Sequence, residues 1–317
     1  MHIRIGTRAS KLALTQTGLV ATALSERGHT VEVIEIKTLG DKKQGTAEAG
    51  RGDKRDWIHE LELAVIERSI DLAVHSGKDV PALIAPETTL LPVLERADPR
   101  DVFIGRRESP SGRRICFADV PATGIIGTAS LRRRAQVLTQ LPKSTVREHR
   151  GNVPTRLQKL DDSTDLSGII LAAAGINRLG LTGIEAEPLD PRHFVPAINQ
   201  GLLTVQIRRD AIALERMLAE IQDRATVAAF ITERRCIELL DADCNSAVSV
   251  YAEVHAADVI LHARVMLPDG SKLIALDERA PLAASADLGR RVGEALIAKG
   301  ANTILAESRR FREEIRG

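Results

Sequence analysis

Ile125-Ile-Gly-Thr-Ala-Ser-Leu-Arg132-Arg133 reads as a short apolar strand, a turn of small residues, and a helix whose first turn carries two adjacent arginines. Three other stretches follow the same plan: Ile3-Arg-Ile-Gly-Thr-Arg8, Leu72-Ala-Val-His-Ser-Gly-Lys78 and Val146-Arg-Glu-His-Arg150-Gly-Asn152. Each is followed by a helical pattern, which predicts open α/β sheets with cations gathered at the carboxyl ends of parallel strands, beside helix N-termini. Such a placement implies an anionic ligand with several acidic groups.

Outward from these turns, the chain up to about Glu95 alternates strand and helix: Ile3 to Ile5, a helix from Ser10 to about Arg27, then Thr30 to Lys37. Trp57, Leu61, Ala64, Val65 and Arg68 fall at the spacing of one helical face, and Asp71 to His75 reads as a buried strand. Asp98-Pro-Arg-Asp101 is charged and proline-broken, and a second series follows it, with strands near Val102 to Ile104, Gly124 to Gly127, Thr145 to His149 and Gly168 to Ala173. Pro188, Pro191 and Pro196 crowd the segment before Ala197-Ile-Asn-Gln-Gly201, and the strand Leu202 to Ile207 is expected to return to the first sheet. Two crossings make a hinge with a cleft. From about Arg224 a long helix runs to Leu240, a polar turn holds Cys244, and strands near Val248 to His255 and Val259 to Met266 precede a terminal helix and strand. The fold class is therefore α/β: two α/β domains with a hinge and cleft, plus a small C-terminal α+β domain. Domain 1 takes residues 1–97 and 197–217, domain 2 residues 98–196 and domain 3 residues 218–317. The stretch from Gly40 to Asp56, glycine-rich and without periodicity, reads as a mobile lid.

Composition narrows the partners. At 317 residues, two or three domains of roughly 150 residues are expected. Lys plus Arg number 44 against 43 for Asp plus Glu, so any cationic site must be local. Five Phe, one Trp and one Tyr offer little for stacking bases, and no nucleic-acid partner is expected. No signal-like segment opens the chain and no apolar run approaches the ~20 residues that cross a bilayer, so the expected setting is cytoplasmic, away from membranes. Cys116, Cys236 and Cys244 lack CxxC spacing, which argues against disulfides and structural zinc, and no metal-ligand pairs occur at helical spacing. Neither GxGxxG nor a phosphate loop is present.

The chemistry-bearing residues sit in the turns. Ser130 caps a helix that begins with Arg132 and Arg133, cations that are unfavourable there unless a carboxylate or phosphate binds between them; the alternative is a solvated basic face extended by Arg134. Arg150-Gly-Asn152 repeats the logic, with Asn152 as N-cap, Pro154 in the first turn and Arg156 one turn on. Asp79, beside Lys78, is the one carboxylate in its cationic turn, which suits a reaction that develops positive charge; the alternative is an ordinary turn aspartate. His75 reads as a core or supporting residue. Cys244 lies in a polar turn, accessible but beside Asp243, which disfavours a transient thiolate and leaves a permanent thioether or a free surface cysteine.

Taken in series, Arg4-Ile-Gly-Thr-Arg8-Ala-Ser, Ala73-Val-His-Ser-Gly-Lys78-Asp79-Val-Pro81, Glu95-Arg-Ala-Asp-Pro-Arg-Asp101, Gly127-Thr-Ala-Ser-Leu-Arg-Arg133, Arg150-Gly-Asn152 and Pro196-Ala-Ile-Asn-Gln-Gly201 resemble the hydroxymethylbilane synthase, or porphobilinogen deaminase, family. Thr155-Arg-Leu-Gln-Lys-Leu-Asp161 and Leu171-Ala-Ala-Ala-Gly-Ile-Asn-Arg-Leu-Gly-Leu181 extend the resemblance over nearly the whole chain. It implies a monomeric transferase of porphyrin and heme biosynthesis, whose first two domains resemble the halves of periplasmic binding proteins. That family joins four porphobilinogens head to tail with loss of ammonia. A dipyrromethane cofactor, carried as a cysteine thioether, is implied at Cys244. The catalytic residues implied are Asp79, Lys78 and Arg8. Lys78, Asp79, Thr128, Ser130, Arg132, Arg133 and Arg150 are implied to hold the cofactor; Arg8, Ser76, Arg150, Arg156, Gln200 and Trp57 to hold substrate, Trp57 by stacking on a pyrrole. The competing reading is a non-catalytic two-lobed protein that grips a polycarboxylate. The chain departs from the family pattern at Ala242-Asp243 and Asn245, where Gly-Gly precedes the cysteine and Gln follows it. It departs also at Lys54-Arg-Asp-Trp57, at Asn199 in place of glycine, and at Gly77 in place of methionine.

Overall fold

The computed structural model describes residues 1–43, 54–109, 112–240 and 246–316. β1 (His2–Thr7) buries Ile3 and Ile5. α1 (Lys11–Ser25) starts at Ser10, whose side chain accepts from the Ala13 N–H at 3.3 Å. β2 (Thr30–Glu35), α2 (Leu39–Lys43), α3 (His59–Ile66), β3 (Leu72–Ser76) and β4 (Thr88–Val93) complete the first run. A second run holds β5 (Asp101–Gly105), β6 (Ile125–Gly127), α4 (Leu131–Gln140), β7 (Thr145–Arg147), α5 (Val153–Asp161), β8 (Leu166–Ala172), α6 (Ala173–Arg178) and β9 (Glu187–Pro188). The chain then forms β10 (Leu203–Arg208), α7 (Ile212–Ala219), α8 (Arg224–Ile237), β11 (Val248–His255), β12 (Asp258–Met266), β13 (Leu273–Pro281), α9 (Ser285–Ala298) and α10 (Ala301–Arg316).

Among the described residues the strands make three sheets. The first is ordered β2-β1-β3-β10-β4 and the second β7-β6-β8-β5-β9. In each, a parallel trio is followed by an antiparallel strand that comes from a crossing: β10 beside β3 in the first sheet, β5 beside β8 in the second. The return of the strand near Leu202 to Ile207 is thus as expected. Both crossing strands are buried almost throughout, as central strands must be. Apolar side chains cover both faces of the first sheet, Val20, Leu24, Leu214 and Leu218 in one cluster and Leu61, Val65 and Ile70 in another.

The third sheet, β11-β12-β13, is antiparallel and packs its apolar face on α8, α9 and α10. α8 also reaches the first sheet, where Phe230 is buried with Ile58, Val80, Leu90 and Leu202. Buried Glu233 on α8 ties both crossings: it pairs with Arg96 at 2.6 Å and accepts the N–H groups of Asn199 and Ala252 at 2.5 and 2.8 Å. On the other side, α4 meets the third sheet through Ala135, Ala247 and Met266.

Several expectations need correction. The turn after β3 enters a 3-10 turn, Gly77–Asp79, and not a helix, because Val80 and Pro81 turn the chain into extended backbone. α3 spans only His59–Ile66: Trp57 belongs to a 3-10 turn before it, and Arg68 follows it at φ 63°. The stretch read as a lid is bracketed by α2 and by the 3-10 turn Lys54–Trp57; residues 44–53 between them lie outside the described residues. β4 and β9 had no clear alternation in the sequence, and the chain ends as strand, helix, helix.

Candidate active site

A cleft of about 260 Å³ lies where the three parts meet. Lys78, Asp79, Val80, Pro81 and Ala82 line it from the first sheet; Ser130, Leu131, Arg132 and Arg133 from the start of α4; Ala197, Ile198 and Gln200 from the second crossing; and Arg234, Ser246 and Val248 from the third part. Two cationic turns predicted from sequence therefore face each other. A second, smaller pocket of about 20 Å³ opens on the other side of Lys78, between Gln16, Ser76, Gly77, Arg178, Asn199 and Gln200. Lys78 and Gln200 belong to both.

Ser130 caps α4 as expected, accepting from the Arg133 N–H at 3.4 Å, while Thr128 accepts the Ser130 N–H at 3.2 Å. The carboxylate between Arg132 and Arg133, however, is the protein's own. Asp101, fully buried at the head of β5, accepts from Arg132 Nη1 at 2.7 Å and from Arg133 Nη2 and Nε at 2.8 and 3.1 Å. Val195 and Ile170 carbonyls take further N–H groups of the two arginines at 2.8 and 2.9 Å. Burial alone would raise the Asp101 carboxyl, but the two guanidiniums hold it well below the usual carboxylate range. Gln200 donates at 2.9 Å to Asp101 Oδ1, the oxygen that Arg133 also holds, so both crossings meet at this carboxylate. Asp101 stands in a quoted motif without a role; the readable signal is an acid opening the apolar run Val102-Phe-Ile104, where only counter-charges make burial tolerable.

Lys78 is half-buried beside exposed Asp79. Desolvation pushes its ammonium down to about 8; Asp79 and Asp101 pull it up, and Arg133 and Arg132 oppose them. His75 is a supporting residue, with its ring pushed down to about 4 by burial and bonded to Gln206 at 3.2 Å. Arg234 donates to the carbonyls of Pro81 and Ala82 at 2.8 and 2.5 Å, fixing the backbone that follows Asp79.

The remaining sequence candidates divide. Ser76 shares a hydrogen bond with Gln16, its Oγ 2.7 Å from Gln16 Nε2, in the smaller pocket. Arg150 pairs with Glu148 at 2.5 Å. Burial pushes Arg156 down to about 10, with Arg133 and Arg150 adding to the fall, and its buried Nε has no hydrogen-bond partner among the described residues. Arg8 and Trp57 line neither pocket: Arg8 is bonded to Asp41, and Trp57 gives its ring face to Arg8 at 4.1 Å instead of lying open for a pyrrole. Cys244 lies outside the described residues. Cys236, in contrast, is buried in α8 with its thiol pushed up to about 12. Arg178, missed from sequence, donates to the Gly201 carbonyl at 2.7 Å and is pushed down to about 10 by burial. The departures Gly77 and Asn199 touch: a Cβ on Gly77 would come within 2.9 Å of the Asn199 Cβ.

Comparison with known proteins agrees across the chain. A family model described as porphobilinogen deaminase, dipyromethane cofactor binding domain, matches residues 3–216, and one described as porphobilinogen deaminase, C-terminal domain, matches residues 227–298. The porphobilinogen deaminases of Bordetella parapertussis and Bordetella bronchiseptica are each 37% identical over 308 residues, covering 96% of this chain and 96% of their own. Among solved structures, an ancestral cationic amino acid solute binding protein aligns with a TM-score of 0.42 at 13% identity, over 69% of this chain and 87% of that one.

Proposed function

The chain belongs to the porphobilinogen deaminase family, and from that premise we propose how its residues divide the work. It is a transferase, hydroxymethylbilane synthase: four porphobilinogens are condensed head to tail with loss of ammonia, on a covalent dipyrromethane. Family membership favours this activity over a non-catalytic polycarboxylate binder.

The observation that carries the residue assignment is the cleft itself, with Lys78 and Asp79 facing Ser130, Arg132 and Arg133. A pair of pyrroles bearing acidic side chains fits such a wall, and the described chain resumes at Ser246, on the cleft, just after Cys244. We assign the thioether to Cys244 and the acidic groups of the cofactor to Lys78, Arg132 and Arg133, with Arg150 and Thr128 behind them. The cofactor, when bound, would supply the free pyrrole carbon that takes the first unit, each later unit joining the ring added before it. When the protonated amino group of a substrate's aminomethyl arm leaves as ammonia with the C–N bonding pair, positive charge spreads over the ring and the methylene that stays on it; Asp79 lies exposed on its turn to oppose that charge. At ~4 Å and an effective dielectric near 20 this is worth roughly 4 kcal/mol, about a thousandfold in rate. Arg8, Ser76, Gln200 and Arg156 are assigned to the incoming substrate. The smaller pocket at Ser76 holds about one water's volume, so substrate entry requires the parts to separate. Division into residues 1–97 with 197–217, 98–196 and 218–317 is supported by one sheet lying within each. A single chain working in the cytoplasm completes the reading; no helix of the described residues is long and apolar enough to cross a membrane.

The deciding experiment is the denatured intact mass of the wild type beside Cys244→Ala. An excess of two linked pyrroles in the wild type alone is expected. An unmodified wild-type mass after incubation with porphobilinogen would falsify the cofactor assignment.

A further inference from the structure

Arg8, assigned above to substrate, is already engaged by a carboxylate. Its Nη2 donates to Asp41 Oδ1 at 2.6 Å and its Nε to Oδ2 at 3.3 Å, a two-point contact of the kind a substrate carboxylate makes. Asp41 is itself anchored: Oδ2 accepts the Thr38 hydroxyl at 2.8 Å and the Thr38 N–H at 3.2 Å. Trp57 closes the other side, its ring 4.1 Å from the guanidinium carbon. Gly40 lets these groups meet, since a Cβ there would lie 2.3 Å from the Trp57 ring. Arg8 lines neither the cleft nor the smaller pocket.

We propose that Asp41 is an internal competitor for substrate, occupying on Arg8 the position of a porphobilinogen carboxylate, and so sets the concentration at which substrate engages. The proposal rests on the assignment of Arg8 to substrate. Binding then exchanges one carboxylate for another and leaves Asp41 to Thr38 and solvent. Because the contact is bidentate and mostly shielded, its removal should tighten substrate binding by about five- to tenfold.

Trp57 is the only tryptophan in the chain, so its emission reports directly on the stack with Arg8. Porphobilinogen is titrated against wild-type holoenzyme, Asp41→Asn and Thr38→Val, reading Trp57 fluorescence on rapid mixing and, separately, KM and kcat. The expected result is a saturable change whose midpoint, like KM, falls about five- to tenfold in Asp41→Asn and by less, in the same direction, in Thr38→Val. Midpoints and KM equal to or above wild type in both variants overturn the proposal; a mere loss of structure would show as a lowered Tm and kcat. Arg8→Gln separates the two readings. If it keeps wild-type KM and kcat, the assignment of Arg8 fails; if it is impaired while Asp41→Asn binds as wild type does, only the competition fails.

Discussion

The wall of the cleft that belongs to the second sheet holds its cations against a buried carboxylate, whereas the wall that belongs to the first sheet leaves Asp79 exposed and Lys78 half-buried on a single 3-10 turn. Arg132 and Arg133 have no freedom to reorient, because Asp101 and two carbonyls take up their N–H groups. Lys78, whose ammonium desolvation pushes down to about 8, can change charge near neutral pH, which a guanidinium does not. A charge that is to bind the same acidic group through many cycles gains from being fixed, and a group that meets transient charge gains from solvent access and a short, adjustable turn.

The largest effect should come from breaking the fixed wall. Asp101→Asn leaves two buried guanidiniums without their counter-charge, and we expect a loss of about 3–5 kcal/mol in urea unfolding together with poor cofactor loading. Stability within 1 kcal/mol of wild type would mean that the wall is not locked by this residue. On the first-sheet wall, to which the proposed chemistry assigns Asp79, Asp79→Ala should lower turnover by about a thousandfold, while its melting temperature stays near wild type. Wild-type turnover in that variant would remove the distinction between the walls. A smaller effect sharpens it. Activity that depends on the Lys78 ammonium should fall as pH rises through about 8, and Lys78→Gln should abolish that limb. Stability should move the other way: the unfolded chain holds this proton up to about 10.5, so between about 8 and 10.5 it binds more protons than the folded chain and stability rises with pH. Parallel falls in both would assign the limb to unfolding instead.

Much of this architecture was legible because strand, small-residue turn and capped helix leave a local signature, as at Ser130 and Asn152, both of which cap the helices expected of them. The return of β10 was legible from a buried apolar run after a proline-rich crossing. What stayed hidden depends on distant partners. Arg132 and Arg133 read as open cations until Asp101, about thirty positions earlier in the chain, lies between them. Arg8 read as a substrate residue, and its pairing with Asp41 across β2 follows only from three-dimensional packing. Edge strands such as β9, two residues long, carry too little pattern to be seen.

The exchange of strands also bears on the order in which the protein is made. The second sheet is complete within one uninterrupted stretch, from β5 to β9, and can form once that stretch has left the ribosome. The first sheet cannot: β4 pairs with β10, which is synthesised more than a hundred residues later. Until then β4 and the outer side of β3 present unpaired backbone edges, so the part begun first is the last of the two to close, and its exposed edges are the segment most in need of protection during synthesis.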